Sequence, residues 1–278
     1  MSPGTIIIAA HNEAAVIGRT LDALSDLADT PEIGVIVVCN GCTDDTAAVA
    51  AGHRGVDVAD LSVASKVAAL REGDRLAGPG PRVYLDADVV LTARAAADLI
   101  DALSEGAIAG RPRHVFDASR ASRIVRAWYR VRQLLPSIDS ALWGAGCYAL
   151  SSAGRARFAE FPEFISDDLF IDSLFAPEEV TIVDTDPLVV TTPRRLADLL
   201  RILRRSYRSQ SEVAENSVGL SKGQRGQLAD LGRLLRRSPR RVVDVMIYVA
   251  VIGYARLQTR ASRPGERWER DASSRDLT

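Results

Sequence analysis

Apolar runs and stretches of helical spacing alternate through the first hundred positions. Residues 5–10 (TIIIAA) form a continuous β-branched run, the pattern of a strand covered on both faces. Residues 34–39 (GVIVVC) repeat it; Val56–Leu61 and residues 82–85 are shorter versions, the last stopping at Asp86. Between them, residues 14–27 carry Val16, Ile17, Leu21, Leu24 and Leu27 at helical spacing. Residues 43–51 read as a helix capped by Thr43 with Asp44 and Asp45 in its first turn, residues 65–76 as a helix capped by Ser65, and residues 93–103 as a fourth. The alternation predicts an α/β fold, a Rossmann-like, mostly parallel sheet flanked by helices.

The middle is less regular. A helix is expected over 119–135, a loop over 111–119, a loop or strand opening at Gly144-Ala145-Gly146, a short helix over 166–175, and strands over 180–183 and 188–190. From Arg194 the pattern is a C-terminal helical extension of two or three basic helices, broken at Ser238-Pro239. The stretch 242–257 is strongly apolar but interrupted by Asp244 and shorter than the ~20 residues a spanning helix needs, so it reads as packed or interfacial. The apolar run near Met1 is too short for a signal peptide.

Composition narrows the class. Of 278 residues, 47% are hydrophobic and 26% charged, ordinary for a globular protein with a sizeable core. A formal net charge of -1 gives no general affinity for nucleic acid, yet twelve arginines fall between positions 194 and 241, a segment suited to phosphate, anionic lipid or solvent. Three cysteines, Cys39, Cys42 and Cys147, make a disulfide framework improbable and favour a reducing, cytoplasmic compartment. Cys39-x-x-Cys42 lacks the second pair a structural zinc requires.

Ligands of open α/β sheets bind beyond the carboxyl ends of the strands. His11-Asn12-Glu13, Asn40-Gly41 and Asp86-Ala87-Asp88 should therefore converge on one edge. Two carboxylates one residue apart suit a hard divalent cation and a diphosphate, or are simply solvated. Asn12 and Glu13 are equally accounted for as a helix cap and a first-turn acid. Lys66 stands at a helix start, where the dipole favours anions, which calls for a phosphate or carboxylate partner. Asp167 and Asp168, set between apolar pairs, raise one another's pKa and suit a general base, or serve as first-turn acids behind a Ser166 cap. Arg201, Arg204, Arg205 and Arg208 share one helical face. No dinucleotide glycine pattern, Walker loop or nucleophile elbow is found, which argues against a dehydrogenase.

Taken in order, IIIAAHNE, VIVVCNGCTDDTAAVA, SKVAALREG, YLDADVVL, GAGCYALS, ISDDLFID and RRSYRSQSE resemble the segments of family-2 glycosyltransferases of the GT-A fold. The resemblance covers roughly residues 5–215. It implies a catalytic core over 1–192, with a nucleotide-sugar half over 1–105 and an acceptor half over 106–192, a basic helical extension over 193–261 and a polar tail over 262–278. It implies Mn2+ or Mg2+ at Asp88 with Asp86. Ala10, His11, Glu13, Asn40, Lys66 and Asp86 would serve the donor nucleotide, Asp168 with Asp167 the catalytic base, Trp143 and Gly144 the acceptor border, and Arg205 and Arg208 the diphosphate or acceptor. The reaction implied is a single, inverting transfer, with a UDP-sugar the leading donor. Two departures stand out. Cys39-Asn40 occupies the place of the family's nucleoside-contacting aspartate, and the Gln-x-x-Arg-Trp form of processive members is absent.

Two alternatives stay open at this point: a nucleotidyltransferase of similar fold, although AHNEAAV lacks the required glycines and lysine, and a catalytically degenerate nucleotide-sugar binder. A lipid-linked acceptor, peripheral contact with the inner face of the membrane, and a homodimer are left open by the basic helices.

Overall fold

Alternate residues of the first strand enter different layers. Ile6 and Ile8 join a cluster with Leu21, Val37 and Leu99, whereas Ile7 joins one with Leu70, Tyr84 and Tyr148. All three isoleucines are fully buried, which accounts for the unbroken apolar run; each contributes about 1.5–3 kcal/mol. The computed structural model describes residues 1–163, 166–215 and 222–261. Its elements begin β1 (Gly4–Ala10), α1 (Ile17–Asp22), β2 (Ile33–Asn40), α2 (Thr46–Ala51), β3 (Val56–Leu61), α3 (Lys66–Leu76), β4 (Arg82–Asp86) and β5 (Val89–Val90). They continue with α4 (Ala93–Ser104), β6 (Ala109–Asp117), α5 (Arg123–Arg132), α6 (Pro136–Asp139), β7 (Cys147–Leu150), α7 (Ser152–Arg155) and α8 (Asp167–Ser173). The chain then runs through β8 (Val180–Thr191), α9 (Leu196–Glu215), α10 (Lys222–Arg237) and α11 (Val242–Ala261).

The chain divides into two units. Met1–Val115 with Leu142–Val190 form the sheet unit; Phe116–Ala141, read from the sequence as acceptor half, falls with the residues from Thr191 onward in a helical unit.

In the sheet unit, eight strands run in the order β3-β2-β1-β4-β7-β6-β8-β5. The pairs β1–β2, β1–β4 and β2–β3 are parallel; β4–β7, β6–β7 and β5–β8 are antiparallel. The sheet is thus mixed: β7 runs antiparallel to both its neighbours, β4 and β6, and β5 runs antiparallel to β8. Chain order reverses between β1 and β4, and such a switch point opens a ligand crevice at the carboxyl ends of the two strands. The α3 helix lies close on β1: a Cβ at Gly73 would meet Ile7 Cγ2 at 2.3 Å. Beneath it Asp74 accepts from Tyr84, Arg82 and Arg155 at 2.6, 3.0 and 2.8 Å, a satisfied buried ion group.

Several expected bounds change. The helix expected over 14–27 is α1 followed by a 3-10 turn at Ser25–Asp29; the Glu13 carbonyl accepts from both Val16 and Ile17, delaying the start, and Ser25 and Asp26 disfavour continuation. Asn12 is no cap: it has φ 53 and bonds across to Thr43. Thr43 is no cap either, since Asp44 Oδ1 accepts from Thr46 N–H at 3.1 Å and α2 starts there. Ser65 does cap α3, accepting from Ala68 N–H at 3.1 Å. The 111–119 loop is largely strand β6, and the helix expected over 119–135 shortens to α5, with α6 starting separately at Pro136. The two late strands are one, β8. Pro187 lies within it, before Val189 and Val190, the two residues that pair with β5.

In the helical unit, α11 packs on α5 and α9. Trp128 and Tyr248 stack with centroids 5.2 Å apart, and Arg130 grips Asp244 through two bonds of 2.8 and 3.0 Å. The break at Ser238-Pro239 is a 3-10 turn, Pro239–Arg241. The α11 helix runs for 20 residues to Ala261, and Pro239–Thr259 is long and apolar enough to cross a membrane, so the length objection raised from sequence does not hold. The 262–278 tail lies outside the described residues.

Candidate functional site

The carboxyl ends of β1 and β2 are joined through their loops. His11 Nδ1 donates to the Asn40 carbonyl, and Asn40 Nδ2 donates to the Ala10 carbonyl at 2.8 Å. Asn12 Oδ1 accepts from Thr43 N–H at 2.7 Å, while Asn12 Nδ2 donates to Thr43 Oγ1 at 3.1 Å. Glu13 N–H donates to Thr46 Oγ1 at 2.7 Å, and Ala14 N–H to Asp44 Oδ2 at 3.2 Å. Thus Ala10, His11, Glu13 and Asn40 do meet at one edge. Cys39 and Asn40 are almost completely buried, and burial together with Cys42 pushes the Cys39 thiol up to about 12. This strand end carries a neutral thiol and a neutral amide where an aspartate was expected.

The charged centre lies at the end of β4. Lys66 Nζ is 2.8 Å from Asp86 Oδ1 and 2.8 Å from Asp167 Oδ1. The lysine mismatched to its helix dipole has therefore found two carboxylate partners. Asp167 is buried and also accepts from the Tyr148 hydroxyl at 2.8 Å. Asp168 Oδ2 accepts from Gly144 N–H at 2.8 Å, and Asp168 Oδ1 accepts from the Ser166 hydroxyl. Ser166 is therefore a partner of Asp168 and not the side-chain cap of α8. Asp172 accepts from Leu142 N–H at 2.8 Å, so α8 holds the 142–146 loop at two points.

The two adjacent aspartates differ electrically. Burial works against ionised Asp167, but Lys66 and the Tyr148 hydroxyl outweigh it and hold the carboxyl below its ordinary value. Burial and the neighbouring Asp167 charge push Asp168 above its ordinary value. For Lys66, burial opposes the charge, and Asp167 with Asp86 override it, raising its pKa. Such divergence gives one fixed anion and one group able to exchange a proton.

Backbone shape brings the loop against the metal candidate. Asp86 N–H donates to the Gly146 carbonyl at 2.8 Å. Gly146 has φ 67, and a Cβ there would lie 2.5 Å from Val89 Cγ2 and 3.0 Å from Asp86 Oδ2. Only glycine fits this position.

Among the described residues, no three His, Cys, Asp or Glu side chains are grouped to hold a metal ion. Asp86 and Asp88 provide oxygen donors at this edge, and Arg19 donates to the Asp88 carbonyl at 3.0 Å. One or two carboxylates completed by phosphate oxygens and water are an ordinary Mg2+ set. The residues therefore fit a cation that arrives with a diphosphate and do not form a cage of their own.

Of the remaining expected residues, Trp143 is 6% exposed and Gly144 half-buried, both on the loop held by α8. Arg205 and Arg208 lie on α9 in the helical unit. Tyr148, Gly146 and Ser166 were not read from sequence as site residues. A tyrosine two positions past a glycine in a short strand gives no periodic or charge signal.

The chain's likeness to known proteins agrees with this geometry. The profile described as glycosyl transferase family 2 matches residues 5–156. No curated protein matches the chain by sequence. Among solved structures, the mannosyltransferase PcManGT from Pyrobaculum calidifontis has TM-score 0.58 at 18% identity, over 95% of this chain and 77% of that one. Glucosyl-3-phosphoglycerate synthase from Mycobacterium tuberculosis has TM-score 0.51 at 20% identity, over 74% and 78%. TarS 1-349 from S. aureus has TM-score 0.52 at 14% identity, over 93% and 92%. These structures share the GT-A fold with this chain, and with more than half its length matched by the profile, the chain belongs to glycosyl transferase family 2 and is a glycosyltransferase.

Proposed function

We propose that the chain transfers one sugar per reaction from a nucleotide-sugar donor to an acceptor hydroxyl, with inversion and with the aid of a divalent cation. The observation that carries this reading is the arrangement at the end of β4: Asp86 and Asp167 linked through Lys66, with Asp168 beside them on the Gly144 backbone. The structural neighbours add support, since PcManGT is described with GDP-Man and Mn2+, the M. tuberculosis synthase with UDP and Mn2+, and TarS with UDP-GlcNAc. A UDP-sugar remains the leading donor. The neutral Cys39 and Asn40 remove the charged acceptor expected for uracil, so GDP- and dTDP-sugars belong in the same screen.

In the reaction, Asp168 takes the proton of the acceptor hydroxyl. The acceptor oxygen forms its bond to the anomeric carbon as the bond from that carbon to the diphosphate oxygen breaks, and the nucleoside diphosphate leaves. Asp167 stays ionised and holds Lys66, whose ammonium faces Asp86. The Gly144 N–H and Ser166 hydroxyl orient Asp168. Asp86 and Asp88 would hold Mn2+ or Mg2+, which when bound neutralises charge on the leaving diphosphate. Ala10, His11 and Glu13 would line the nucleoside pocket, Trp143 and Gly144 the acceptor side, and Arg205 and Arg208 would meet phosphate. The missing Gln-x-x-Arg-Trp form agrees with single transfer.

The test is Asp168→Asn with thermal shift and turnover measured side by side. Donor- and Mn2+-dependent stabilisation should persist while turnover falls by roughly 10³-fold or more. Turnover within a few-fold of wild type removes Asp168 as the base. A wild-type protein that is stabilised by donor but transfers to no acceptor is a degenerate binder instead.

A further inference from the structure

The α11 helix is apolar on both sides. Val245, Tyr248, Val251 and Ala255 are buried, and the helix packs on α5 and α9. The opposite side presents Val242, Val243, Met246, Val249, Tyr254 and Leu257, from 46% to 66% exposed. Six of the twelve exposed large apolar side chains among the described residues lie on this one face. A helix apolar all round is ordinarily buried all round, so this face requires a cover.

Charge indicates which cover. The helical unit carries 24 Lys and Arg against 11 Asp and Glu; the sheet unit carries 11 against 25. The near-zero net charge of the whole chain hides this division. Arg236, Arg237 and Arg240 are exposed just before α11, and Arg256 is exposed near its end. The acid on the helix, Asp244, is held by Arg130 at 2.8 Å. A self-complementary pairing of two copies through this face would set arginines against arginines in either direction, because both ends are basic. An anionic bilayer removes both costs: its acyl region takes the apolar side chains and its phosphates take the arginines. The helix lies along the surface and does not span it, because its other face is committed to α5, which carries Arg123, Arg126, Arg130 and Arg132.

We infer that α11 is a membrane-docking helix that seats its Val242–Leu257 apolar face in an anionic lipid surface, with the flanking arginines on lipid phosphates. This is independent of the sugar-transfer reading.

The full-length protein is tested by co-sedimentation with phosphatidylcholine vesicles and with vesicles containing phosphatidylglycerol, together with light scattering without lipid. Wild type should pellet with the anionic vesicles, with binding weakened by salt, and should not pellet with the neutral ones. The triple variant Met246→Ser, Val249→Ser, Leu257→Ser should lose binding at unchanged helix content, since all three side chains are already exposed. Arg237→Gln with Arg240→Gln should weaken binding roughly tenfold or more. Failure of wild type to bind anionic vesicles overturns the proposal. So does a wild-type dimer that the triple variant converts to monomer without any change in lipid binding, which would make the face a contact between copies.

Discussion

Lys66 Nζ and Asp167 Oδ1 stand 2.8 Å apart, and this pair governs the carboxylate that follows in sequence. Burial and then the ionised Asp167 raise the proton affinity of Asp168, while Lys66 restrains that rise. Asp168, the proposed base, is thus tuned by a neighbour that is itself locked, and the lock reaches across to Asp86.

Removing the lysine should affect folding and chemistry together. Lys66→Met leaves buried Asp167 facing Asp86 with no cation between them. Loss of about 2–3 kcal/mol is expected, less than for a fully buried pair because Lys66 is 36% exposed. Turnover should fall about 10²-fold through misplacement of Asp86 and the α8 acids. Denaturant melts and steady-state rates at neutral pH measure the two effects; a variant as stable and active as wild type removes the bridging role.

The pH profile follows from the same shifts. Asp168 must be ionised to accept a proton, and its pKa lies above the ordinary carboxylate value of about 3.9. The acid limb of kcat/KM should therefore sit above that value. In Lys66→Met the limb should move to still higher pH, because the cation that restrains the shift is gone. Stability carries the opposite signature through Asp167. Its depressed pKa contributes stability present above the ordinary carboxylate value and lost as pH falls through the folded value. Asp167→Asn should flatten that acid-side loss in urea melts taken across pH.

Gly146→Ala should be among the most damaging small substitutions in the chain. The added methyl meets Val89 and Asp86 while the backbone keeps φ 67. A cost of about 2–4 kcal/mol is expected from strain and displacement together. Melting temperature and donor-induced stabilisation should both fall; a wild-type melt would show that the loop adapts.

Metal affinity should depend on nucleotide. With two carboxylates at the end of β4 and no group of three ligands among the described residues, Mn2+ alone should bind weakly. Nucleoside diphosphate should tighten it by about tenfold or more, measured by calorimetry with and without nucleotide. Chelator should abolish turnover, and added Mn2+ should restore it. Full activity in chelator removes the role of Asp86 and Asp88.

The order of strands and helices through β4 was legible because β1 and β2 are continuous apolar runs and the helices between strands carry apolar residues at helical spacing; of the caps read from sequence, Ser65 holds and Thr43 does not. Charge placement was legible where it broke a local rule: Lys66 at the wrong end of a helix pointed to an anion, and two lie within 3 Å of it. The β7-β6-β8 part of the sheet was legible only in part: strands were expected at both ends of β8 but not joined across Pro187, and β6, with charged and aromatic residues and no simple period, was largely expected as a loop. The role of Ser166, which can cap a helix or serve a carboxylate, was not legible; long-range packing chose the second. Tyr148 met Asp167 across 19 positions of sequence, a relationship no local pattern encodes.

The loops after β1 and β2 are tied by Asn12 to Thr43 and by Ala14 to Asp44. Their conformational freedom has already been surrendered in folding. A nucleotide arriving at this rim need not order it, so more of the gross attraction survives as affinity. Cutting the tie with Asn12→Gly should leave the contacts available yet make binding entropically poorer. The expected readout is weaker binding with a more negative entropy at a similar enthalpy.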